Sequence, residues 1–313
     1  MTAEPASSSA LGRAGRALSL LVGVACLAYF AREVYAQRAA LGAVTWSGHF
    51  GLAFAAAVAV FFAGALQDGW AWGWLLRTLE VPARPRAALG VFAVAQFAKY
   101  LPGNVGQHVG RIELSRRQGW QLGRVAVSLL IENGFGVGGG ALFAVLGIPG
   151  LDASFMSAKL ASVGFLLVLG TVGGALAARW LLAEPPSVVR RWLKLDGDIR
   201  LQIPFLFTLL LSHLLSYAAV AAGLALLVIG AGSRLEPWLW QLPAIVAVSW
   251  LSGYLTPGAP AGLGVRELIV TRLLAPNTGT SIAVAVALSW RMVALASDLS
   301  MLGLGLLLRR RSR

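Results

Sequence analysis

Charge is what this sequence has least of. Asp, Glu, Lys and Arg make up 12% of its 313 residues, while hydrophobic side chains make up 58%. A globular domain of this length carries roughly twice that charged share, so a soluble enzyme domain is excluded. Cysteine is nearly missing as well. Cys26 stands alone, which rules out an internal disulfide. It lies in an apolar run, and Gly23-Val24-Ala25-Cys26 has the wrong first residue for a lipoprotein cleavage site. His49, His108 and His213 are scattered, and with a single cysteine they make no metal-ligand set. Neither a P-loop nor a Ser-His-Asp order is present. The glycine run Gly134–Gly140 follows no strand and suits close helix packing better than a nucleotide. Gly262-Leu263-Gly264 has Glu267 where a dinucleotide fingerprint needs its third glycine. The expectation is no cofactor, no metal and no enzymatic activity.

The charge that remains is unbalanced and unevenly placed. Lys and Arg number 26 against 13 Asp and Glu, a net charge of +13. In a soluble protein this would suggest nucleic acid. Here the basic residues stand at the ends of apolar stretches, as orientation in a membrane requires, and no nucleic-acid partner is expected. Ala39–Gln67, Asn133–Leu151, Leu160–Ala178, Leu201–Ser233 and Pro237–Val265 contain no charged residue. About 20 apolar residues in a helix cross a bilayer core, and most of these stretches suffice. The sequence therefore predicts an all-α integral membrane protein. A polar N-terminal tail covers 1–14, a polytopic transmembrane domain 15–308, and a basic tail 309–313. The first apolar run, Ala17–Ala31, leads into Arg32 and Glu33 with no convincing cleavage site, and reads as a retained helix.

Positive charge marks the cytoplasmic side. On that rule Arg13 and Arg16 place the N-terminus inside, and Arg309-Arg310-Arg311 place the C-terminus there too. Spans are expected near 15–36, 48–67, 123–147, 160–179, 203–231 and 280–308. Trp70, Trp72 and Trp74 suit an interfacial belt after the second of them. The expected setting is a bacterial-type cytoplasmic membrane, crossed about six times.

Two segments do not fit simple spans. Ala87–Ala98 is apolar but short, and breaks at Tyr100-Leu101-Pro102-Gly103 between basic clusters on both sides. A second break, Tyr254-Leu255-Thr256-Pro257-Gly258, falls between two ends that the topology puts outside. Both predict re-entrant Pro-Gly hairpins that enter from opposite faces; if they cross, the count rises to seven or eight. In each, an Arg lies nine residues after the proline, Arg111 after Pro102 and Arg266 after Pro257, with Glu113 or Glu267 close behind. Such pairing suggests an inverted repeat, and broken helices at matching places in two inverted halves point to a substrate site. Glycine-rich backbone and half-helix N-termini favour anions, and the Arg fork fits phosphate.

Charges inside spans mark function by default. Glu132 lies in one span, with Arg291, Arg111 and Arg266 as candidate partners. Arg291 lies in the last span, with Asp298 two turns later on the same face or Glu132 as its partner. The candidate substrate-binding set is Tyr100, Pro102, Gly103, Arg111, Glu132, Pro257, Gly258, Gly262, Gly264, Arg266, Glu267 and Arg291.

Together, Tyr100-x-Pro102-Gly103, Arg111, Glu132, Pro257-Gly258, Gly262-Leu263-Gly264-Val265-Arg266-Glu267 and Arg291 resemble the transmembrane-domain family of lysylphosphatidylglycerol synthases and their stand-alone flippase-like relatives. The resemblance runs from about residue 15 to 308. It implies translocation of a lipid with an anionic, phosphate-bearing headgroup. The synthases carry a separate synthetic domain, which these residues do not contain, so a stand-alone member is expected. Many members have Glu-Arg followed shortly by Asp, where this chain has Glu132-Asn133-Gly134. Two alternatives use the same features: a secondary transporter of a small anion, and a non-transporting membrane partner of a glycosyltransferase or lipid-modifying enzyme.

Overall fold

The Leu-, Ala- and Val-rich stretches are helical in the computed structural model, which describes residues 48–100, 105–147, 158–184, 186–193, 201–236, 238–256 and 259–310, with Arg32, Tyr35 and Arg38. In chain order the helices are α1 (Gly48–Thr78), α2 (Pro85–Gln96), α3 (Gly106–Arg117), α4 (Leu122–Gly147), α5 (Ala158–Ala183), α6 (Ser187–Leu193), α7 (Ile203–Gly230), α8 (Leu242–Leu255), α9 (Val265–Thr278) and α10 (Thr280–Arg310). Pro85, Pro204 and Pro243 sit in the first turns of α2, α7 and α8, where a missing N–H removes no helical bond.

α1, α4, α7 and α10 are each long and apolar enough to cross a membrane. They hold 31, 26, 28 and 31 residues, or roughly 39–46 Å at the usual helical rise. Gly164–Arg179, within α5, and Leu239–Leu255 are shorter apolar helices. The expected spans near 123–147, 203–231 and 280–308 are α4, α7 and α10, and 160–179 falls within α5. The expected first span and tail 1–14 lie outside the described residues apart from Arg32 and Tyr35, as do residues 311–313 and the loop holding Asp152.

The second span differs from expectation. It does not stop near residue 67, because α1 continues to Thr78. Packing is the reason. Trp70 and Trp74, one turn apart, face outward, while Trp72 is fully buried. Trp72 Nε1 donates to Ser128 Oγ at 3.0 Å, and its ring packs on Phe92 and Trp120. Residues i and i+4 share a helix face and i+2 points away from it, so the three tryptophans do not form one belt.

α2 pairs with α3, and α8 with α9, as helical hairpins. Their arms have 12 and 14 residues. That is roughly 18 and 21 Å, short of a bilayer core of about 30 Å. The segments that lead into the two hairpins lie against opposite ends of α4. At the open end of α2–α3, Arg124 of α4 donates Nη1 to Leu79 O at 3.0 Å and to Glu80 Oε2 at 2.9 Å. The last turn of α10 lies here too, with Arg309 against Gly90 of α2. At the other end, Gly147 of α4 meets Ala244 of α8, and Gly230 of α7 meets Phe50 and Ala53 of α1.

The two halves pack reciprocally. Each is a long helix, a hairpin and a long helix: α1, α2–α3, α4, and then α7, α8–α9, α10. α1 lies along α7, α2 lies on α10, and α8 lies on α4. The hairpin tips touch inside the bundle, where the 3₁₀ turn Phe97–Tyr100 meets Pro260–Gly262. The glycine run on α4 does serve packing. A Cβ at Gly138 would fall 2.5 Å from Thr171 Oγ1, and one at Gly140 only 2.4 Å from Tyr217 Oη. These glycines let α5 and α7 close on α4.

Candidate functional site

The segment after the second break builds much of the site. Ala261, Gly262 and Gly264 have φ of 51°, 69° and 79°, a left-handed backbone that glycine adopts without strain. This turn starts α9 at Val265. Glu267, in the first turn, accepts the Gly264 N–H on Oε2 at 2.7 Å, a favourable place for a carboxylate. Arg266 lies in a groove between two glycines. A Cβ at Gly253 would stand 2.7 Å from its Nε, and one at Gly262 2.6 Å. Gly262 and Gly264 therefore shape the backbone, and Gly253 and Gly262 seat Arg266.

Where the hairpin tips meet α1, α4, α7 and α10 lies a cavity of about 250 Å³. Its charged lining comprises Lys99, Arg111, Arg266 and Arg291 against Asp68, Glu132, Glu267 and Asp298. Three carboxylates hold three of the cations. Arg111, only 3% exposed, is bonded to Glu132. Its guanidinium also lies 4.2 Å from the Phe92 ring and 5.1 Å from the Trp72 ring. Lys99 donates to Asp298 at 2.8 Å, and Tyr100 Oη donates to the same carboxylate at 2.6 Å. Arg291 Nη1 lies 3.4 Å from Glu267 Oε1 and donates to Ala261 O at 3.3 Å.

Two charged groups are left over. Arg266 has no ion pair among the described residues, and its buried Nε has no hydrogen-bond partner. Asp68 accepts a hydrogen bond from Ser216 Oγ at 3.1 Å and has no cation within bridging distance among those residues.

Of the expected site residues, Arg111, Glu132, Arg266, Glu267 and Arg291 line the cavity. Tyr100 stands beside it, its ring 5.5 Å from the Arg291 guanidinium. Pro102, Gly103, Pro257 and Gly258 lie outside the described residues. Among the candidate partners of Glu132, the structure selects Arg111. Arg291 pairs with neither Asp298 nor Glu132, because Asp298 is held by Lys99 and Tyr100 while Glu267 lies nearer. The glutamates after the two arginines are not equivalent. Glu113 is exposed, and hydrogen bonds from Arg116 and then Arg117 on its own helix hold its carboxyl down at about 2.

Sequence reasoning passes over Asp68, since a span ending at residue 67 leaves it outside. The usable signal was helical spacing: Gly64, Ala65 and Asp68, at i, i+1 and i+4, all line the cavity. Lys99 and His213 also line it. His213 is hydrogen-bonded, its Nδ1 2.9 Å from Leu209 O.

The model of the Lysylphosphatidylglycerol synthase TM region family matches residues 16–299. The chain belongs to this family. No curated protein matches it. Where many members place a charged residue, Asn133 makes neutral links: its Nδ2 donates to Leu129 O at 2.6 Å and its Oδ1 accepts from Tyr254 Oη at 2.9 Å. Tyr254 stacks on Trp250 at 4.8 Å, and both rings line the cavity.

Proposed function

We propose that this protein translocates a phosphate-bearing lipid, with the headgroup held at Arg266 between two re-entrant hairpins. The observation that carries the reading is the Arg266 guanidinium. Of the four cavity cations, it is the one without a carboxylate partner among the described residues. A bare cation inside a membrane protein is costly, and an anionic ligand removes that cost. Arg291, adjacent and weakly tied at 3.4 Å, can turn to share the load. Arg111 is committed to Glu132 and serves as support. Short hairpin arms entering from opposite ends, with tips meeting midway, suit alternating access around a fixed site.

A lipid, unlike a small anion, needs apolar room beside its headgroup site. A groove of about 420 Å³ runs between α1 and α7, lined by Trp70, Trp74, Phe205, Leu211 and Leu215 with Arg77 among them. Gln67 and Ser212 line this groove, and their chain neighbours Asp68 and His213 line the cavity.

The test is Arg266→Lys in vesicles. Lysine keeps the charge but loses the bidentate fork. Melting should stay near normal while flipping of a fluorescent phosphatidylglycerol falls at least about tenfold, the value of roughly one charge-assisted hydrogen bond. Normal flipping by the variant would remove Arg266 from headgroup recognition. Normal melting with no flipping by the wild-type chain alone would favour the partner-protein reading.

A further inference from the structure

Asp68 is the carboxylate that the headgroup reading leaves unexplained. It sits in α1, a helix long enough to span, ten residues before the end at Thr78. Its one hydrogen-bond donor among the described residues is Ser216 on α7. The charged and titratable groups that face it are His213 on the same helix, Glu132 on α4 and Arg111 on α3. Arg111 is already bonded to Glu132, so that pair offers Asp68 almost no net charge. Toward α2, a Cβ on the neighbouring Gly69 would meet Leu89 and Phe92. The remaining cations of the cavity, Lys99 and Arg291, have carboxylates of their own.

Among the described residues, Arg266 and Asp68 are thus the two unpaired charges of one cavity, and they do not bridge each other. Tyr217, next to Ser216 on α7, also lines the cavity, its hydroxyl donated to Gly136 O at 3.0 Å. With Asp68 ionised, the four cations and four carboxylates of the lining cancel. An anion seated on Arg266 breaks that balance. The low-dielectric interior then favours a neutral Asp68, and a proton from water supplies it.

We propose that Asp68 is a proton carrier: it takes up one proton when an anionic headgroup occupies Arg266 and releases it to water when the headgroup leaves. This rests on the headgroup reading and adds an energy source to it. Headgroup and proton move together, so a proton gradient drives the lipid toward the less acidic side. His213 is the nearest rival for the proton.

Calorimetric titration of the detergent-solubilised full chain with dioctanoyl phosphatidylglycerol, in two buffers of different ionisation enthalpy, measures binding and proton uptake together. Wild type should bind with net uptake peaking at about half a proton per lipid, the most that one pH unit of coupling gives. Asp68→Asn, which mimics the protonated side chain, should bind without uptake. At pH 8 it should bind about tenfold tighter than wild type. That corresponds to about one pH unit of coupling, as for charges roughly 10 Å apart at an effective dielectric of about 20. Wild-type binding without uptake overturns the proposal and leaves the headgroup reading standing. Uptake that survives in Asp68→Asn and disappears in His213→Gln also overturns it. No wild-type binding sinks the headgroup reading and the coupling with it. If Asp68→Asn does not fold, Ser216→Ala must shift the pH profile of uptake, and an unchanged profile overturns the proposal.

Discussion

Glu132→Ala probes whether Arg111 is support or ligand. Arg111 is 3% exposed, and its Nε has no hydrogen-bond partner. Removing the Glu132 carboxylate leaves a buried guanidinium facing Phe92 at 4.2 Å and Trp72 at 5.1 Å. Breaking a buried pair from one side costs about 3–5 kcal/mol. The rings are present before and after, so their cation–π attraction of about 0.5–2 kcal/mol does not offset the loss. At about 2 °C per kcal/mol, a low value for a chain of this size, melting should fall by roughly 6–10 °C. Scanning fluorimetry on the native tryptophans in detergent measures this. The paired variant Arg111→Met with Glu132→Leu removes both charges and should recover most of the loss, since apolar replacement of a buried pair is near neutral. Unchanged melting of Glu132→Ala, or a paired variant no more stable than the single one, would refute a buried structural ion pair.

Gly253→Ala places a methyl 2.7 Å from Arg266 Nε and 3.1 Å from Gly262 Cα. It should displace Arg266 and cut phosphatidylglycerol binding at least about tenfold, with about 1–3 kcal/mol of overpacking; unchanged binding by calorimetry would deny the groove its positioning role. Asp298→Ala strips Lys99 and Tyr100 of their shared acceptor. It should cost about 1–3 kcal/mol in melting, discounted because Lys99 is partly exposed, while Tyr100→Phe costs less. For topology, single cysteines in a Cys26→Ala background, labelled from intact cells with an impermeant reagent, should react at position 152 and not at position 190; the reverse would invert the scheme.

The sequence by itself determined the class of the molecule, because burial in lipid is a matter of composition. The spans expected near 123–147, 203–231 and 280–308 match α4, α7 and α10 nearly to the residue, and of these only the second is free of charge throughout. The matched Pro-Gly breaks likewise mark two hairpins whose second arms, α3 and α9, begin soon after them. Glu132 and Arg291 were legible because a charge inside an apolar run is anomalous without any coordinates, and Arg111 and Arg266 because each lies nine residues after the proline of a matched break. Their partners were not. Several pairings were electrostatically acceptable, and only the fold decided that Arg111 takes Glu132, that Asp298 takes Lys99 and Tyr100, and that Arg266 takes no carboxylate among the described residues. Asp68 shows the same limit at one residue's resolution. An apolar run ending at Gln67 puts Asp68 at the membrane edge, whereas the burial of Trp72, set by Ser128 and Phe92 from other helices, carries α1 onward and Asp68 into the cavity. Composition decides which segments enter lipid, but which charges meet there depends on contacts between residues far apart in the chain.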